Sequence, residues 1–284
     1  MQKITYRNFH NESVTLSRTF PYLLQDLSGI GDASSTLLSQ RGFQQDGTTV
    51  LGSLLEPRMI RFRIVIKGAN AADLMEKRTK ILRVFHPKPG GGELIYDGDS
   101  GRFRILACVC DGPSEVAGRP FRSGFLQAFD IGLYCPKPAW ESYARNALKM
   151  VGFIGGMVLP LTLPFKLAEQ GSTVDIDYNG TLDAPLTVEF RGPAVMPKIG
   201  KAQTGEYIEV DVALEAGAKL YIDTTPGAIN VYTLDGAGAH PAFNYIKPQS
   251  SYFQLTRGLN TLSFSAAAGD PEVYVYWREQ YSGI

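Results

Sequence analysis

The sequence predicts a mainly β protein: an N-terminal β-barrel or split-barrel-like domain with one packed helix, followed by a C-terminal β-sandwich of jelly-roll type. Three observations predict it. Thirty glycines and 17 prolines, with 14 tyrosines and 15 phenylalanines, describe many short strands joined by tight turns. Apolar residues recur at period two through most of the chain, while a helical period appears once. At 284 residues the chain exceeds the ~100–200 residues of an ordinary domain, so two bodies are expected.

The residue balance narrows the function classes. Hydrophobic residues make up 44% and charged residues 20%, the proportions of a folded globular chain rather than a disordered one. Lys plus Arg and Asp plus Glu are each 28, so no net field draws the whole molecule to nucleic acid or to an anionic membrane. The start, MQKITYRNFH, has no apolar stretch and no small-residue cleavage site, which predicts a chain without a secretory signal. The longest apolar run, 150-MVGFIGGMVLPLTLPF-165, is shorter than the ~20 residues that span a bilayer and carries Pro160 and Pro164. Proline pushes its predecessor to extended geometry, so this run reads as a buried or interfacial linker and not as a membrane span. Three cysteines cannot all pair, which points to a reduced compartment.

Taken in order, 59-MIRFRIVIKG-68 alternates Ile60, Phe62, Ile64 and Ile66 with Arg61, Arg63 and Lys67, giving a strand with one dry and one wet face. In 70-NAADLMEKRTKILRVFH-86 the period changes: Leu74, Ile81, Leu82 and Phe85 form one stripe of a helix, with Asn70 or Asp73 as N-cap. After the break at 89-PGGG-92 come strand candidates 93–98, 102–110 and 121–135. Residues 1–135 thus read as an antiparallel sheet or barrel with the helix packed on it. The segment 136–171 lacks a steady period and has prolines at 136, 138, 160 and 164, as a linker or wrapping arm would. Across 172–284, strand candidates 172–178, 185–192, 206–214, 218–224, 228–233, 251–255, 260–266 and 272–279 recur at the ~8–12 residue spacing of a sandwich, with no helix among them.

Few groups point to chemistry. Cys108 and Cys110 fall on one face of 102-RFRILACVC-110 and read as small packing residues; a zinc site would need further ligands, and only His10, His86 and His240 are available. Asp97 with Asp99, and Asp175 with Asp177, are the closest carboxylate pairs, but catalytic carboxylates normally come from different strands, and turn formation is the plainer reading. No G-x-S-x-G element and no His-containing catalytic motif occurs. The segment 29-GIGDASS-35 begins like a phosphate loop without the preceding strand or the Lys, so a flexible loop is expected. Tyr221, Tyr232 and Trp277 are candidate glycan contacts, although alternation sets Tyr274 and Tyr276 on one face and Trp277 on the other. Cys135, Pro136, Pro138 and Trp140 mark a domain junction rather than a reactive thiol: the prolines stiffen the exit, the tryptophan anchors it, and no base accompanies the cysteine.

The order of these pieces resembles the distal tail protein family (Dit) of long-tailed bacteriophages with non-contractile tails. In the N-terminal half the resemblance rests on 46-DGTTVLGSLLEPRMIRFRIVIKG-68, the helix with Arg78 and Leu82, Phe85-His86-Pro87-Lys88, and the aromatic strand running into 134-YCPKPAWES-142. In the C-terminal half it rests on 178-YNGTLDAPLTVEFRG-192, 204-TGEYIEVDVALEAGAKLYIDT-224, 252-YFQLTRGLNTLSFSA-266 and 273-VYVYWREQYSGI-284. Segment 143-YARNALKMVGFIGGM-157 matches nothing in that pattern.

The resemblance implies a structural, non-enzymatic virion protein with no cofactor or metal and a galectin- or carbohydrate-module-like second domain. It implies a homohexameric ring at the distal end of the tail, assembled in the bacterial host cytoplasm, that joins the tail tube protein to the tail-tip hub and lets DNA through. A different class of function, a carbohydrate-binding module that contacts a host surface glycan, is the alternative. Sequence-specific nucleic acid is not an implied partner. If DNA slides through the ring, Arg61, Arg63 and Lys67 should face interfaces or the outer rim, because each cation neutralising a phosphate would retard passage.

Overall fold

The computed structural model of the protein describes residues 2–31, 33–88, 90–99, 101–115, 122–123, 125–150 and 171–284. Two compact units result. The first comprises Met1–Tyr143 with Tyr281–Ile284, and the second Ala144–Gln280. The expected arm at 136–171 is therefore corrected in its first part: residues 140–142 and 146–150 are strands, and each pairs into a unit. The remainder of that arm, with Pro160 and Pro164, lies outside the described residues.

The first unit is built from β1 (Lys3–Arg7), β2 (Ser13–Ser17), β3 (Tyr22–Ser28), β4 (Ser35–Gln40), β5 (Thr49–Leu55), β6 (Arg58–Lys67), α1 (Ala71–Val84), β7 (Gly92–Gly98), β8 (Gly101–Cys110), β9 (Leu126–Cys135) and β10 (Trp140–Ser142). Seven strands close a barrel in the order β9-β6-β3-β2-β1-β7-β8, and β8 returns to β9. Closure removes the unpaired edges an open sheet would present. β6 is the wall the sequence pattern describes, with Ile60, Phe62, Ile64 and Ile66 buried. Its partner β9 matches it over ten residue pairs, from Leu126↔Lys67 to Cys135↔Arg58.

Helix α1 begins where expected. The Asn70 side chain accepts from the Asp73 backbone N–H at 2.9 Å, and the Asp73 carboxylate accepts from the Ala69 N–H and the Lys77 ammonium, a reciprocal cap with an i,i+4 pair. Ile81, Val84 and Phe85 are buried, and Leu74 packs against the same core. Leu82, expected on that stripe, is exposed; it sits about 100° from Ile81 around the helix, so the two cannot share a narrow apolar face. The Phe85 ring stacks on Tyr6 at 4.9 Å and meets Phe62 edge-on at 5.8 Å.

The second unit is a sandwich. Its strands are β11 (Asn146–Met150), β12 (Gly171–Tyr178), β13 (Leu186–Arg191), β14 (Lys198–Lys201), β15 (Tyr207–Glu209), β16 (Lys219–Asp223), β17 (Asn230–Asp235), β18 (Gly238–Pro241), β19 (Gly258–Ser265) and β20 (Glu272–Trp277). A six-stranded sheet in the order β11-β20-β13-β16-β17-β18 shares one core with a four-stranded sheet in the order β12-β19-β14-β15. Val188, Phe190, Leu220, Ile222 and Val275 meet Ile176, Ile199, Ile208, Leu262 and Phe264 in that core. The strand expected at 251–255 is reduced to one bridge, Ala184↔Leu255, and the one at 206–214 is broken into two pieces. A short 3-10 turn, Phe243–Tyr245, stands where no helix was expected. The YNG element also has its reason: buried Tyr178 donates to the Leu182 carbonyl at 2.6 Å, and a Cβ on Gly180 would meet its hydroxyl at 2.0 Å.

Candidate assembly surface

Between β3 and β6 the chain leaves the barrel as a hairpin of β4 and β5, a two-stranded sheet of its own. Register places Leu37 and Leu55 on one face and Leu38 and Leu54 on the other, with a bulge at Leu51. All five leucines are exposed; Leu37 is 61% and Leu51 66% exposed, and Phe43 near the tip is 94% exposed. An isolated hairpin is marginally stable in water, and this one offers apolar side chains on both faces and unpaired backbone along both edges. Such a ribbon would gain burial and pairing from a surface laid against it. Sequence reading missed it because leucine doublets in STLLSQ and TVLGSLL break the period-two pattern, although two apolar runs around a turn-rich RGFQQDG carried a hairpin signal.

The base of the hairpin is held by Arg58, the buried first residue of β6. Its guanidinium donates to the carbonyls of Gly29, Gly31, Pro138 and Ser282. Trp140 is fully buried, lies 6.0 Å beneath that guanidinium and donates its indole N–H to the Ile30 carbonyl at 3.2 Å. This corrects the first part of the flexible loop expected at 29–35, with Asp32 outside the described residues: Gly29 has φ +83, and a Cβ there would meet the Met59 carbonyl at 2.1 Å, so the glycine serves close approach to β6. It also shows what the Pro136-Lys137-Pro138-Ala139-Trp140 exit does. It carries Trp140 into the core and the Pro138 carbonyl to Arg58, and the last residues of the chain arrive at the same guanidinium.

On the wet face of β6, Arg63 grips Asp130 of β9 through two hydrogen bonds of 2.6 and 2.8 Å. The guanidinium holds the Asp130 carboxyl below the usual carboxylate range, and the Arg63 value is raised in turn. Lys67 lies over the Phe20 ring at 5.2 Å. The basic stripe is thus partly compensated by its own neighbours. Cys108, Cys110 and Cys135 are all buried, and among the described residues no group of three His, Cys, Asp or Glu could hold a metal ion. Asp97 pairs with Arg102 beside the β7–β8 turn, whereas Asp175 and Asp177 sit within β12 rather than in a turn.

In the second unit the outer face of the six-stranded sheet collects aromatic and charged groups that the sequence scatters from Arg145 to Tyr276. Tyr221 and Tyr232 face each other across β16 and β17 and stack at 5.0 Å. Tyr274 and Tyr276 stand nearby, but Arg191 lies over the first ring at 4.2 Å and Arg145 over the second at 4.5 Å. Nearly buried Glu189 accepts from Arg191, Lys219 and Tyr276. Burial alone would raise its carboxyl pKa, and those hydrogen bonds together outweigh burial, leaving it below the ordinary value. Trp277 is not part of this face. It pairs with buried Leu186 and packs against the core, so the candidate trio with Tyr221 and Tyr232 does not converge.

Two family models match the chain: a phage tail protein RIFT-related domain over residues 9–135, and a siphovirus-type tail component, C-terminal domain, over residues 179–281. No curated protein sequence matches it. Among solved structures the chain is similar to the SPP1 Dit (gp 19.1) protein, described as a paradigm of the hub adsorption apparatus in phages that infect Gram-positive hosts, with TM-score 0.69, 13% identity and 99% of each chain covered. It is also similar to a chain of the phage P2 baseplate in its activated conformation with Ca, with TM-score 0.55, 10% identity, and 100% of this chain and 99% of that chain covered. The same baseplate with Sr gives TM-score 0.51 at 10% identity over 96% and 98% of the two chains. At these identities the likeness to solved structures is one of fold.

Proposed function

This chain belongs to the siphophage distal tail proteins, structural components of the distal tail and baseplate, and from that premise we propose that six copies close into a ring joining the tail tube to the tip. The observation that carries the proposal is the β4–β5 hairpin. A ring needs heterologous contacts, one patch on each subunit meeting a different patch on its neighbour. The barrel has closed its own edges, so the hairpin, apolar on both faces, is an element of the first unit with pairing and burial still to gain. Assembly in the host cytoplasm agrees with three cysteines that are all free thiols. The tail tube protein above and a tail-tip hub protein below are the proposed neighbours.

DNA would pass through the lumen. Arg61, Arg63 and Lys67 would face interfaces or the outer rim, and Arg63, already gripped by the Asp130 carboxylate, has less to gain from phosphate wherever it stands. Light scattering on the purified chain, with negative-stain images, tests the ring: sixfold particles with a central hole wide enough for duplex DNA are expected. A chain that stays monomeric at high concentration and within virions would overturn it.

A second reading, contact with a host surface glycan, is favoured by one observation, the stacked Tyr221–Tyr232 pair on an outer sheet face. A glycan array probed with the full chain and with Tyr221→Ala tests it; equal signals from both would remove Tyr221 from any sugar contact.

A further inference from the structure

The barrel closes on a short pairing. Where β6 and β9 match over ten pairs, β8 and β9 meet only at Leu133↔Cys110 and Tyr134↔Val109. One step further in that register, Cys135 stands opposite Cys108. Both side chains point into the core, both are wholly buried, and their Sγ atoms lie 2.9 Å apart as free thiols. Directly opposed residues of an antiparallel pair have Cα atoms about 4.5–5.5 Å apart, within the ~4.4–6.8 Å that a disulfide spans. Cys110, two residues along, has its sulfur engaged by the Gly112 N–H at 3.3 Å.

We propose that Cys108 and Cys135 form a modification site: a cross-strand pair that closes to a disulfide over the barrel seam under mild oxidation, while Cys110 remains a thiol. A small uncharged peroxide is the oxidant, because the pair is sealed from larger reagents. One sulfur attacks the O–O bond, which breaks, and becomes a sulfenic acid as water leaves; the second thiol then displaces that oxygen as a second water and forms the S–S bond. Two thiols are oxidised and one peroxide is reduced. Burial pushes the Cys108 thiol well above its ordinary value, so thiolate is scarce and closure is slow. That timing suits a part made in a reducing cell and released from it, a clause that rests on the virion reading; the bond itself does not.

The full chain, purified with reductant and then moved into dilute hydrogen peroxide, is unfolded in an alkylating agent and mapped by mass spectrometry. The expected result is alkylation at Cys110 alone, a peptide joining Cys108 to Cys135, and a rise in Tm of about 5–10 °C that reductant reverses. Cys110→Ser should close the same bond, and Cys135→Ala should not. Should Cys135→Ala fail to fold, mapping of the wild type and of Cys110→Ser still decides. Three alkylated cysteines after prolonged exposure, or a link involving Cys110, would overturn the proposal. Light scattering on the same samples reads the ring separately, so failure of one does not pass for failure of the other.

Discussion

The barrel wall β6 and the hairpin strand β5 are separated by two residues and are similarly rich in large apolar side chains, yet β6 buries Ile60, Phe62, Ile64 and Ile66 while β5 buries none of its own. The difference lies in their neighbours. β6 runs between β3 and β9 with a helix packed on the barrel, so every second side chain enters a core; β5 has only β4. Apolar composition therefore marks both stability and assembly, and pairing distinguishes the two. The leucines of β5 are exposed, and their burial requires a second surface, which is what the proposed ring would supply.

Four substitutions break or sharpen this contrast. Phe62→Ala removes a ring packed against Phe85 and should cost about 3–5 kcal/mol in chemical unfolding of the first unit. A loss below about 1 kcal/mol would mean that the wall is not the core it resembles. Arg58→Ala, at the point where hairpin becomes wall, leaves the carbonyls of Gly29, Gly31, Pro138 and Ser282 without their donor and should cost about 2–3 kcal/mol. Hydrogen exchange should then show faster opening at 282–284 and at 29–31, and unchanged exchange there would refute the clasp. Leu38→Ser combined with Leu54→Ser, on one face of the hairpin, should change monomer stability by no more than ~0.5 kcal/mol while converting rings to monomers in light scattering. Rings that survive this pair of changes would exclude that face from the interface.

The smallest effect is expected in the second unit, whose outer sheet face satisfies its charges internally. Glu189 has a depressed carboxyl pKa in the folded state, so its contribution is fully present above the ordinary value of 4.5 and is lost as pH falls through the lower folded value. The Tm difference between wild type and Glu189→Gln should thus be constant near neutral pH and shrink below pH 4.5. A difference that persists unchanged into strong acid would show that the Arg191, Lys219 and Tyr276 contacts do not depend on the carboxylate charge.

Legibility in the sequence followed how local the deciding interaction was. The alternation of 59–68, the helix start at Asn70 or Asp73 and the sandwich strands at 172–178, 185–192 and 218–224 were readable, because a side chain's face in a strand and a capped helix start depend on nearest neighbours in the chain. Leu82 was misplaced by one step around the helix, a difference that only the direction of the barrel decides. The role of Gly29 was hidden because the atom it must avoid, the Met59 carbonyl, lies 30 positions away. At the candidate assembly surface, the leucines of 37–55 were visible as residues and invisible as a surface.

The sequence by itself determined a β-rich chain, a capped helix, and which side chains of its regular strands face inward, since period and capping are local. Only the tertiary structure decided that seven strands close a barrel, that β4 and β5 stand apart from it, that Tyr281–Ile284 join the first unit, and that Cys135 stands beside Cys108. Those outcomes rest on contacts between residues tens to hundreds of positions apart, where many pairings satisfy the same alternation and the packed arrangement selects among them.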